Sequence, residues 1–358
     1  MKWPRTPSKN ISPSSIITKD ERAPALDHET GFSNNLTAMT HSATWPMDQP
    51  DSQSEHPGKS LLEDDLSLAQ MAQALVRSGD YKVLRRLKPR SVFCPSDGKI
   101  SKTAVILDVE TTGLDANKDE VIELGMVKFD YLPDGRITNL RGTFAAFNEP
   151  SGPIPQEVIV LTGITDAMVR GHQIDGAAVD TFVADAAVVI AHNAAFDRKF
   201  AERNWPVFEQ KAWGCSATEI EWKRHGFHGA RLDYLLNGAG FFHQAHRAVD
   251  DCHALLEVLA FELPTTGGTA LTSLLDQARK RTMRIWAEQT PFDLKDTLKR
   301  RGYRWSDGSD GRPRSWYVDI EEDRFEDEIL FLRAEIYLQD FEPRFQIITA
   351  TSRFSVRA

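Results

Sequence analysis

Ile106-Leu107-Asp108-Val109-Glu110-Thr111-Thr112-Gly113-Leu114-Asp115 is the stretch on which the fold turns. Residues 104–107 are apolar and partly β-branched, which predicts a buried strand. Side chains alternate between the faces of a strand. Asp108 and Glu110 therefore share one face, roughly 6–7 Å apart, and Val109 takes the other. Thr111-Thr112-Gly113 ends the strand in a turn. Two carboxylates side by side on a buried strand repel each other and cost desolvation energy unless a cation neutralises them. Either the acids splay into water at a polar strand end, or they are half of a cation site.

Outward from this stretch, residues 121–129 read as a second strand, 131–135 as a turn and 136–147 as a third strand, an antiparallel meander. The pattern then alternates: helix at 175–184, buried strand at 187–191, helix at 194–203, short strand at 211–215 and closing helix at 248–261. A meander followed by such alternation gives an α/β domain, a mixed five-stranded sheet flanked by helices. It occupies residues 99–263. Residues 1–60, rich in Pro, Ser, Thr, Asn and Asp without a period, read as a disordered tail. Residues 61–98 read as a helical extension; the five basic residues between Tyr81 and Arg90 either touch a phosphate backbone or form the solvated side of an extension packed on the next domain. Residues 264–270, Pro-Thr-Thr-Gly-Gly-Thr-Ala, read as a linker. A smaller C-terminal α+β module follows at 271–358, with helices at 271–287, 292–301 and 325–338 and a last strand at 344–349.

Two further motifs bear on Asp108 and Glu110. Ala191-His192-Asn193-Ala194-Ala195-Phe196-Asp197 lies where a buried strand gives way to a helix, a usual place for ligand contacts in an α/β sheet. Asn193 is a candidate N-cap. Asp197 sits in the first helical turn, where the helix dipole alone stabilises an acid. His246-Arg247-Ala248-Val249-Asp250-Asp251-Cys252 opens the closing helix. Its apolar stripe is Ala248, Cys252, Leu255 and Leu259. At 100° per residue Asp250 lies opposite that stripe and Asp251 borders it, so Asp251 is the acid able to reach the sheet.

These motifs resemble those of the DEDD 3′–5′ exonucleases, histidine subclass, which include the proofreading epsilon subunit of bacterial DNA polymerase III. Asp-x-Glu-Thr-Thr-Gly, Asp197, and Asp251 with His246 five positions before it match in order, and Thr162-Gly163-Ile164-Thr165 also resembles family sequence. The resemblance covers about 160 residues. It implies a ribonuclease H-like fold and two Mg²⁺ or Mn²⁺ ions held by Asp108, Glu110, Asp197 and Asp251. It implies His246 as general base, and contacts to the terminal nucleotide from Thr111, Thr112 and Leu114, with Asn193 beside them. The implied substrate is a single-stranded or frayed 3′ end, of DNA or alternatively of RNA, with a DNA polymerase or repair complex as a possible partner. A non-catalytic nucleic-acid-binding accessory protein is the rival from another class, against which the complete five-residue set argues. Cys215, His225, His228 and His243 lack the paired spacing of a zinc site.

Composition sets the remaining bounds. Of 358 residues, 41% are hydrophobic, enough for a core, and no run nears the ~18 apolar residues of a membrane span. Three separated cysteines and a start without a signal-like apolar stretch lead us to expect a cytoplasmic protein. The net charge of −9 does not announce nucleic acid, yet eleven Lys or Arg residues and only five acids lie between Arg279 and Arg314. Trp286, Phe292, Tyr303, Trp305, Trp316 and Tyr317 are interleaved with them. Such rings and cations suit either strand binding or a small core with charges paired across it. The first alternative predicts that removing 265–358 weakens binding and leaves cleavage of short substrate intact.

Overall fold

A computed structural model describes residues 61–95, 98–309, 311–340 and 342–357, and for 61–67 the backbone only. The expected tail at 1–60 lies outside the described residues. The chain divides into two units between Tyr81 and Lys82. The N-terminal unit contributes helix α1 (Leu61–Ser78), closed where Ser78 Oγ donates to the Leu75 carbonyl and Gly79 turns left-handed.

The larger unit is built on a five-stranded sheet of order β4-β3-β2-β5-β6. Strands β2 (Lys102–Thr111), β3 (Val121–Tyr131) and β4 (Ile137–Phe147) form the antiparallel meander. Strands β5 (Val188–Ala191) and β6 (Trp213–Cys215) continue it in parallel. Helices α2 (Gln156–Thr162), α3 (Asp166–Val169) and α4 (Gly176–Val183) precede β5. They are followed by α5 (Ala194–Asn204), α6 (Leu232–Gly238) and α7 (Ala248–Ala260). The mixed sheet flanked by helices is the expected architecture.

Strand alternation divides the core between the faces of this sheet. Ala104 and Ile106 of β2 pack with Cys252, Leu255 and Leu259 of α7. Val105, Leu107 and Val109 pack with Val179 and Val183 of α4 and Phe200 and Ala201 of α5. The even residues of β2 thus face α7, and the odd ones face α4 and α5.

Four expectations need correction. The segment after α1 is extended rather than helical. β1 (Arg85–Arg86) pairs in parallel with β7 (Phe241–Phe242), and Phe93 N–H donates to the Thr138 carbonyl. Lys88-Pro89 disfavours a helix there. Arg90 meets Glu257 of α7 through two hydrogen bonds of 2.8 Å, so the stretch from Arg85 to Phe93 packs on the domain. Second, the helix expected over 271–287 is α8 (Ala270–Arg279) followed by strand β8 (Thr282–Ala287). Residues 283–287 of that strand are buried throughout, which removes the alternation that would have marked it.

Third, residues 264–270 are no free linker. Glu262 bridges Thr269, and Thr269 Oγ1 donates to the Gly135 carbonyl at the end of β3's turn. Helix α8 then places Leu271, Leu274 and Leu275 in the same core as α7.

The rest of the C-terminal region forms a second, antiparallel sheet of order β11-β8-β10-β9, with β9 (Arg304–Trp305), β10 (Trp316–Glu321) and β11 (Arg344–Ile348). Helices α9 (Lys295–Arg300) and α10 (Phe325–Phe331) cover a core that includes Ile285, Leu298, Tyr303, Val318 and Leu332.

The fourth correction concerns removing 265–358. The residues after β11 are locked to the first domain. Trp213 N–H at the edge of β6 donates to the Ala350 carbonyl. Arg198 of α5, with no exposed surface, donates to the carbonyls of Arg353 and Thr351 (both 2.6 Å) and to Glu202 (2.7 Å). Ser355 and Arg357 also donate to Glu202, and Arg353 pairs with Glu219. A truncation at 264 therefore removes α8 from this core and takes away the carbonyls that accept from Arg198.

Candidate functional site

The strand register places Asp108 opposite Gly125 and Glu110 opposite Glu123. Gly125 matters because α7 crosses here. A Cβ at this position would stand 2.4 Å from the backbone of Ala248 and Val249, so only glycine admits the helix so close to the sheet. Glu123 then holds the helix start. Its carboxylate accepts from Ala248 N–H (3.1 Å) and from Arg247 Nη2 (2.9 Å), while Arg247 also lies over the Phe147 ring. With α7 pinned this way, Asp251 turns toward β2 and Asp250 stays exposed.

Asp108, Glu110 and Asp251 each offer an oxygen within 4.8 Å of the others, a grouping able to hold a metal ion. Asp108 and Glu110 are buried and Asp251 is half-buried. All three donors are carboxylates, the set that hard divalent cations prefer.

Asp197 is fully buried and is not part of that grouping. It belongs to α5, which packs on the opposite face of the sheet, and its Oδ1 accepts from the backbone N–H of Val109 (3.4 Å). Asp197 therefore reaches the end of β2 from the other side, between Asp108 and Glu110 in sequence. Asn193 stands at the N-cap of α5 in a left-handed conformation (φ 91°), and its side chain makes no capping bond. The expectation of a capping side chain is thus corrected. Asn is among the residues that tolerate this backbone.

His246 is half-buried and takes a left-handed backbone (φ 69°), from which its N–H donates to Asp251 Oδ2 (2.9 Å). His243 was set aside with the zinc-like residues, but its Nε2–H donates to the other oxygen, Oδ1, at 2.7 Å, and its side chain is 6% exposed. Asp251 is thereby held at both oxygens. No spacing motif marks His243. Its only signal in the sequence is a position three residues before His246 in the same loop. Glu123 carried a fainter one, an acid inside the apolar run Val121-Ile122-Glu123-Leu124.

The turn after β2 is braced from within. Thr111 Oγ1 donates to the Gly113 carbonyl (2.6 Å), Thr112 N–H donates to the Glu120 carbonyl, and Thr112 Oγ1 accepts from Glu120 N–H. Arg203 of α5 clamps the turn through the carbonyls of Ala116 and Asp119. The amide of Thr112 is thus committed to the fold. Leu114 is 51% exposed and, with Asn193, lines a hollow of about 190 Å³ shared with Ala195, Phe196 and Lys199.

Residues 105–259 match the family model described as exonuclease. The match spans less than half of the chain. The chain is 32% identical over 163 residues to a PolC-type DNA polymerase III of Clostridium perfringens, covering 44% of this chain and 11% of that protein. It is 35% identical over 159 residues to the PolC-type enzyme of Listeria monocytogenes, covering 42% and 11%. The chain thus spans only about a tenth of the length of these relatives. Among solved structures, Exonuclease X in complex with 5′-overhanging duplex DNA is similar at 24% identity and a TM-score of 0.36, covering 49% of this chain and 99% of that one. Among the described residues, no helix is long and apolar enough to cross a membrane.

Proposed function

We propose that this chain is a metal-dependent 3′–5′ exonuclease that releases nucleoside 5′-monophosphates from a single-stranded or frayed 3′ end, with DNA as its substrate. The observation that carries this reading is the convergence of Asp108, Glu110 and Asp251 within 4.8 Å in a domain of the exonuclease family. Mg²⁺ or Mn²⁺ suits an all-carboxylate set. A pair of such ions, when bound, activates a water and stabilises charge on the phosphate oxygens and the departing 3′ oxygen.

The chain's own residues do the rest. Asp108, Glu110 and Asp251 hold the cation side of the site, and Asp197 approaches from the opposite face to complete it. His246 takes the proton of the attacking water. Leu114 and Asn193 receive the terminal nucleotide in their hollow, and the braced Thr111-Thr112 turn sets its floor. A polymerase or repair complex is the partner this reading favours, supported by relatives named as PolC-type DNA polymerase III. We place the protein in the cytoplasm, in keeping with three free cysteines.

Timed digestion of 3′-labelled single-stranded DNA, mismatched duplex and short RNA, each in Mg²⁺, Mn²⁺ or EDTA, tests the proposal. Metal-dependent release of 5′-mononucleotides from the DNA 3′ end is the expected result. Release in EDTA would defeat the metal reading, and RNA-only cleavage would reassign the substrate.

A further inference from the structure

A groove of about 710 Å³ lies between the exonuclease domain and the second sheet. Ala195 and Lys199 of α5 line both this groove and the hollow that holds Leu114 and Asn193, so the two spaces adjoin at α5. The groove is strongly cationic. Lys199, Arg284, Arg304, Arg312 and Arg353 line it. Against these five stand two carboxylates, both already engaged: Glu219 pairs with Arg353, and Asp319 with Arg284 (2.6 Å) and Arg304 (2.5 Å). Within the lining, cations outnumber carboxylates.

Arg284 is the most telling member. It is 8% exposed, and its Nε and Nη2 donate to Asp319. Its Nη1 is buried with no hydrogen-bond partner among the described residues. A guanidinium N–H without an acceptor is costly in a folded interior, and its natural complement is an anionic oxygen. Tyr317 supplies a ring in the same wall, tilted at 39° to Trp286 with ring centres 5.1 Å apart and flanked by the guanidinium groups of Arg284, Arg304 and Arg312.

We propose that this groove is a backbone-binding subsite for the single strand whose 3′ end occupies the carboxylate site. Phosphates a few nucleotides upstream of the scissile bond lie along Arg304, Arg312 and Arg284. The second sheet thus gives the exonuclease domain a grip that short substrates do not reach. The inference rests on the exonuclease reading only for the direction of the strand. The excess of cations and the buried Nη1 call for a polyanion in either case.

The test measures binding without metal, using the full chain, by fluorescence anisotropy of 5′-labelled oligothymidylates of roughly four and roughly 16 nucleotides. Arg304→Ala/Arg312→Ala removes two cations that are not fully buried and touches none of the proposed catalytic residues; its melting midpoint checks the fold. The wild type should bind the longer strand at least tenfold more tightly. The double variant should lose about tenfold on that strand and nothing on the shorter one. Its salt slope should fall by about 0.7 for each phosphate contact removed. Arg304→Lys/Arg312→Lys should recover most of the slope. Equal affinity of the wild type for both lengths, or an unchanged slope in a folded alanine variant, overturns the proposal. A chain that binds by length yet cleaves nothing in any metal would keep the groove and retire the exonuclease reading. Cleavage with length-independent affinity would do the reverse.

Discussion

The two sheets treat their acids in opposite ways. In the second sheet the buried or half-buried carboxylates are answered by the protein itself: Asp319 by Arg284 and Arg304, and Glu328 by Arg301 and the Tyr303 hydroxyl. At the end of β2, three carboxylates turn toward one another instead. Asp251 is met there by a histidine and a backbone amide. An acid matched to a guanidinium is part of the scaffold. Acids gathered against acids repel each other unless they share a proton or take up a cation.

The largest effect should come from breaking the scaffold side of this contrast. Arg198→Ala removes a fully buried guanidinium that ties α5 to the carbonyls of 351 and 353 and to Glu202. Breaking a buried pair of this kind costs roughly 3–5 kcal/mol. Chemical denaturation should show a loss of that size, and activity should fall with the folded fraction. A loss under about 1 kcal/mol would mean that the tail contributes little.

His246→Ala comes next and acts on chemistry alone. Turnover at neutral pH should drop by roughly 10²–10⁴, the usual cost of a lost general base, with the melting midpoint and metal affinity nearly unchanged. Asp250→Ala, at an exposed position of the same helix turn, should be silent. If Asp250 proves essential and Asp251 dispensable, the register of α7 is misassigned.

His243→Ala sharpens the contrast further. With its bond to Asp251 Oδ1 gone, the carboxylate loses an orienting partner, and Mn²⁺ affinity should weaken by about 10–100-fold. His243→Asn should restore part of it. Unchanged affinity in the alanine variant would reduce His243 to a packing residue.

The smallest effect is a pH limb. Burial alone would raise the Glu202 carboxyl, but hydrogen bonds from Ser355, Arg357 and Arg198 outweigh it and hold the group below the usual carboxylate range. Its stabilisation is then complete above a pH of about 4.3 and is lost as the pH falls through the lowered folded value. The acid limb of the wild-type stability curve should therefore flatten in Glu202→Gln. Identical acid limbs would remove Glu202 from the account.

Legibility in the sequence followed the same division. The carboxylate site was visible because its constraints are local: a strand period put Asp108 and Glu110 on one face, and a helix stripe chose Asp251 over Asp250. Asp197 was named by its motif, and the fold sets it on the opposite face of the sheet, outside the grouping of three carboxylates. What escaped depends on distant chain segments. Strand β8 is buried on both faces and shows no alternation. The Pro-Thr-Thr-Gly-Gly run looks like a linker until Thr269 is seen holding Gly135. The interleaved rings of the second sheet divide, with Trp286, Tyr303 and Tyr317 buried and Phe292 and Trp305 exposed. Composition could not sort them.

Binding of Mn²⁺ followed by electron paramagnetic resonance tests the central claim most directly, in the wild type and in Asp108→Ala, Glu110→Ala, Asp251→Ala and Asp250→Ala, with folding checked by the melting midpoint. The first three substitutions should each abolish or greatly weaken binding while leaving the fold in place, and Asp250→Ala should bind as the wild type does. Undiminished Mn²⁺ binding in folded Asp108→Ala would contradict the claim that these converging carboxylates are a metal site.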